Sequence, residues 1–181
     1  MNDHTLITAL EELSPSVPEA LMQDTRNFLS AVDAVAQSNL EEAVPAEMMQ
    51  MFTDEQWAQL LFEFQPGATL FASDYDVASL HQSWMETKTL VLPEASDQSY
   101  WLIFADQEGM IVRMLIPQEY QGLEMAANGL SFSEIASELW SDLGVEKAHH
   151  EMTEMLLGWI EDGIIIDAGV PLPDDAEFEK E

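Results

Sequence analysis

The sequence predicts an α+β fold: an N-terminal helical region followed by a winged-helix-like module of a β-hairpin, three short helices and a short return strand. Three observations carry this reading. Apolar residues before position 86 recur at helical spacing. The period then changes, because Tyr100–Phe104 and Met110–Ile116 are dense in aromatic and β-branched residues. Asp106-Gln107-Glu108-Gly109 between them supplies a turn with a glycine free to take a positive φ. Beyond the hairpin stands a helix start signal, in which the Ser131 hydroxyl accepts from the Glu134 N–H and the carboxylate reaches back to the Ser131 N–H. Leu130 and Ile135 form the flanking hydrophobic staple.

The elements follow in chain order. His4 lies in an N-terminus expected to fray. Pro18 and Glu19 open an amphipathic helix in which Leu21, Phe28, Leu29, Val32, Val35 and Ala36 share a face, with Asp24, Asn27 and Asp33 turned outward. Asn39–Ala46 is acidic, contains Pro45, and links to a short helix around Met48–Phe52. Thr53 and Gln56 form a second capping box, with Phe52 and Trp57 as its staple, predicting a helix with Trp57, Leu60, Leu61 and Phe64 on one face. Gln65-Pro66-Gly67 stops it. Ala68–Ala72 reads as a brief extended piece, and Asp74–Glu86 as a helix striped by Val77, Leu80, His81 and Trp84.

After the hairpin, Pro117 suits the first turn of a helix carrying Tyr120, Leu123 and Ala127, which Asn128-Gly129 ends. The next helix runs from Phe132 to about Asp142. The third, roughly Glu146–Asp162, places Ala148, Met152, Met155, Leu156, Trp159 and Ile160 on one side. Ile164-Ile165-Ile166 reads as a strand returning to the hairpin, and Pro171–Glu181 as an acidic disordered tail. The domain boundaries expected on this basis are 1–65 (helical), 66–98 (connecting helix segment), 99–168 (winged-helix-like) and 169–181 (tail).

Composition narrows the function classes. The chain holds 35 acidic residues against 5 basic ones, a formal charge of −30, and 47% hydrophobic residues. It is therefore expected to be globular. It contains no long apolar run and does not open on a basic region leading into an apolar one, so no membrane span or secretory signal is expected and the cytoplasm is the expected compartment. The lack of cysteine removes disulfides and thiolate chemistry. The charge is that of a soluble acidic surface, as in a saline habitat, or of a protein with a basic partner.

Catalytic constellations are not evident. His150 and Glu154 share a helix face at ligand spacing, but two ligands do not make a metal site, and His149 and Glu151 point elsewhere. Scattered glycines form no phosphate loop, and no serine stands in a Gly-x-Ser-x-Gly elbow. No catalytic residue, metal site or cofactor is expected. DNA binding conflicts with electrostatics, since the third helix offers Glu146, Glu151, Glu154, Glu161 and Asp162 against Lys147 alone. A groove between the second hairpin strand and the third helix is expected instead, where a peptide adds as a strand and an acidic rim suits a basic guest.

Three segments carry a family resemblance: Tyr100-Trp101-Leu102-Ile103-Phe104, Gly129-Leu-Ser-Phe-Ser-Glu-Ile135, and Leu156-x-x-Trp159-Ile160-x-x-Gly163-Ile164-Ile165. Together they resemble the PqqD-like precursor-peptide recognition domain. Upstream, Leu70-Phe71-Ala72-Ser73-x-Tyr75-x-Val77-x-x-Leu80 is similar to the segment before that module in HvfC/MbnC-like proteins, and the combined match covers about Ala68–Ile166. The resemblance implies a non-catalytic accessory subunit that binds a ribosomally made precursor peptide, expected to be basic from the acidic rim, and presents it to a multinuclear non-haem iron oxidase. It places the peptide along Met110–Ile116 and Lys147–Asp162, with Ile111, Arg113, Leu115, Met152, Met155 and Trp159 as candidate contacts. His81 and Trp84 are candidate partner-facing residues, although family members commonly carry an aromatic residue at position 81 and a proline at position 76. The competing readings are an acidic interaction module that mimics DNA toward a basic protein, a degenerate winged-helix regulator, and an enzyme with a pocket around His81 or His149.

Overall fold

The computed structural model describes residues 4–171, a mixture of helices and antiparallel strands. The helices are α1 (His4–Glu12), α2 (Glu19–Gln37), α3 (Asp54–Trp57), α4 (Val77–Thr87), α5 (Pro117–Ala127), α6 (Phe132–Leu139) and α7 (Val145–Glu161). The strands are β1 (Leu61–Phe64), β2 (Thr69–Ser73), β3 (Ser99–Ala105), β4 (Met110–Leu115) and β5 (Ile165–Gly169), and a 3₁₀ turn covers Ala46–Met51. The fold is α+β. Among the described residues no helix is long and apolar enough to cross a membrane.

The chain divides into two compact units, one of residues 1–40 and 66–120 and the other of 41–65 and 121–181. The breaks between them fall after residues 40, 65 and 120. The hairpin belongs to the first unit, while α6, α7 and the last strand belong to the second.

In the first unit β2, β3 and β4 form an antiparallel sheet in that order. Phe71 stands opposite Trp101 and Ile103 opposite Val112, so these side chains share the face that meets the helices. That core joins Leu21, Phe28, Leu29, Val32 and Val35 of α2 to Val77 and Leu80 of α4. Asp76 caps α4, its carboxylate accepting from the Ser79 N–H at 3.0 Å. Leu6 and Leu10, in the segment expected to fray, are fully buried in the same core, and that burial is what orders α1. Gly67 has φ of 84°, and a Cβ there would stand 2.7 Å from that of Ser38, so the turn into β2 requires glycine.

The second unit corrects two expectations. The capping box at Thr53 and Gln56 is present, but its helix ends at Trp57, and Leu61–Phe64 is a strand instead of a helical face. The last strand does not return to the hairpin: β5 pairs antiparallel with β1, Phe62 opposite Ala168 and Leu61 opposite Gly169. Strand order also extends to Gly169, where a tail was expected, and 172–181 lie outside the described residues.

Trp159 anchors this unit, fully buried with its ring centroid 6.4 Å from Phe62 and 6.0 Å from Phe64. Gln65 ties three segments together. Its side-chain amide donates to the carbonyls of Glu41 (2.8 Å) and Gly163 (3.2 Å) and accepts from the Glu41 N–H (3.0 Å), while its own N–H donates to Ile164. The expected capping box opens α6, and the Ser131 contacts, side chain first and backbone second, hold the Glu134 carboxyl below its usual range.

Candidate functional site

The feature most open to a partner is the free edge of β4. This strand pairs with β3 on one side, and among the described residues no strand pairs with it on the other. The Asp106 N–H donates to the Gly109 carbonyl at 2.9 Å, making that pair a hydrogen-bonded rung, and Gly109 takes the positive φ that the turn requires. Counting along the register from this rung, Ile111, Arg113 and Leu115 direct their backbone groups at β3. Those of Met110, Val112 and Met114 therefore face outward.

The side chains of these outward residues share the sheet face of Trp101 and Ile103. Val112 packs at the margin of the core, while Met110 and Met114 flank it at 42% and 62% exposure, and Ile116 just beyond is 61% exposed. Edge strands are commonly blunted by lysine, proline or a bulge. None interrupts β4 between Met110 and Leu115, and its register with β3 is regular. Its one charge is engaged: Arg113 forms a two-pronged pair with Glu119 of α5, at 2.7 and 3.1 Å. At the turn end Glu108 is exposed and Asp106 holds the N–H groups of Glu108 and Gly109.

The residues predicted as peptide contacts divide by burial. Leu115, Met152 and Trp159 are core residues, and Met152 and Trp159 are completely covered. Ile111, Arg113 and Met155 are half-buried. Met155 packs where a side chain on Gly122 would otherwise stand, its sulfur 2.8 Å from the position of a Cβ there. The hairpin candidates thus lie on the opposite sheet face from Met110 and Met114, the exposed residues that the sequence reading missed. The available signal was Arg113, a lone charge in an apolar strand with an acid six residues on.

Of the partner-facing candidates, His81 is half-buried with its ring centroid 5.4 Å from Phe28, and Trp84 is half-buried with the Lys88 ammonium 5.3 Å from its ring centroid. His149 stacks edge-on against Phe132 at 5.4 Å. His150 and Glu154 are exposed, and among the described residues no group of three or more His, Asp or Glu side chains is placed to hold a metal ion. No protein-family model and no curated protein matches the sequence.

Proposed function

We propose that this chain is a non-catalytic accessory protein that takes up a basic precursor peptide as an added strand on β4 and presents it to a partner multinuclear non-haem iron oxidase. The observation that carries the reading is the unblunted β4 edge, with the backbone of Met110, Val112 and Met114 directed outward and apolar side chains beside it. The charge of −30 supports a basic guest and opposes pairing between copies. The order of a hairpin followed by α5, α6 and α7 is compatible with the winged-helix-like module expected from the sequence. The oxidative chemistry belongs to the partner.

Strand addition is tested by Val112→Pro, which removes an outward N–H without touching the β3 rungs, against Val112→Ala, which removes only packing. Binding of a fluorescein-labelled peptide of alternating lysine and valine, followed by anisotropy, is expected to weaken at least tenfold in the proline variant and far less in the alanine one. Equal affinity in all three proteins overturns strand addition. Presentation is tested by capture from the native host with metal analysis. Co-elution of an iron protein and a short precursor peptide supports it, and recovery of a basic nucleic-acid-binding protein without iron favours the acidic-mimic reading.

A further inference from the structure

We propose that Met110 and Met114 are an oxidation site that switches the β4 edge, an inference that rests on strand addition at that edge. The chain has no cysteine, so its sulfur chemistry toward peroxides falls on methionine. Met110 and Met114 lie four residues apart on one sheet face, on either side of Val112, and both are open to solvent. They are also two of the three residues whose backbone faces the free edge. An added strand therefore lays its own side chains against these two thioethers.

Hydrogen peroxide supplies the oxidant. The methionine sulfur attacks one peroxide oxygen, the O–O bond breaks, and sulfur loses two electrons as the S–O bond forms. The other oxygen leaves as hydroxide and takes up the proton lost from the new S–OH group to become water, so peroxide is reduced as the thioether becomes a sulfoxide. The product replaces a flexible apolar contact with a strongly dipolar group that must be desolvated when a strand docks. Met152 and Met49 are buried and shielded from the same chemistry, whereas Met51, at 79% exposure and outside the sheet, serves as an internal control.

The test uses the full chain, hydrogen peroxide and the labelled lysine-valine peptide, with sulfoxide positions mapped by mass spectrometry. Sulfoxide is expected at Met110, Met114 and Met51 ahead of the buried methionines, with peptide affinity falling about tenfold as the first two are converted. A Met110→Leu/Met114→Leu double variant is expected to bind the peptide and to keep its affinity after the same treatment, although Met51 is still oxidised. Undiminished binding by wild-type protein carrying both sulfoxides overturns the switch alone. So does an equal loss in the double variant. Failure of the unoxidised protein to bind the peptide overturns strand addition and the switch with it.

Discussion

The two units solve the same electrostatic problem differently. The first carries fourteen acidic residues against three basic ones, and each of the three cations has a defined place: Arg26 on Glu11, Arg113 on Glu119, and Lys88 over Trp84. The second carries twenty-one acids against Lys147 and Lys180. Across its strand pair Glu63 stands opposite Asp167, a like-charged pairing that costs stability. Its long-range polar fastening is neutral, the buried amide of Gln65, and its anchor is the Trp159 cluster. In so acidic a chain, a neutral amide joins segments without needing a cation.

This contrast can be broken at the anchors. Trp159→Ala is expected to cost about 3–5 kcal/mol, and Phe28→Ala a similar amount in the first unit. Segment-resolved hydrogen exchange should report the first loss in 41–65 and 121–171, and the second in α2 and the β2–β3–β4 sheet. Trp159→Phe is expected to cost much less than alanine, because a phenyl ring keeps most of the packing against Phe62 and Phe64. Next in size, Gln65→Ala should lower urea-unfolding stability by about 1–3 kcal/mol, because the hydrogen bonds of its buried amide to Glu41 and Gly163 are lost.

Smaller effects sharpen the comparison. Raising sodium chloride from low to physiological concentration should stabilise both units, with the larger gain in exchange protection in the second, whose like charges are less compensated. The smallest effect expected is at Glu134. Its pKa is lowered in the folded state, so its contribution is present above the usual glutamate range and disappears as pH falls through the lowered value. Melting curves of wild type and Glu134→Gln should therefore differ at neutral pH and converge at the acidic end.

Local chemistry made much of this legible in the sequence. Both capping boxes, the Asp106–Gly109 turn, the Pro18 start of α2 and the Pro117 start of α5 depend on neighbours within a few residues, and each is present. What failed depends on distant partners. Leu60–Phe64 is a short apolar run that suits helix or strand, and only β5, a hundred residues later, decides it. Leu6 and Leu10 make a helix only because a core assembled from α2, α4 and the sheet receives them. At the candidate edge the strand was legible but its parity was not. Apolar residues occupy both faces of Met110–Leu115, and a one-residue change of phase exchanges Ile111 and Leu115 for Met110 and Met114.

The pairing of β1 with β5 also sets a timetable for the chain during its synthesis. By the time residue 120 has been added, every residue assigned to the first unit exists. Phe62 and Phe64, by contrast, have no strand partner until Ile165–Ala168 have been made. At ribosomal speeds that is an interval of roughly 5–20 s, during which an aromatic run is without its shelter. A nascent chain stalled beyond residue 120 should thus combine a nearly finished amino-terminal body with a sticky internal segment, the kind of species that holdase chaperones engage.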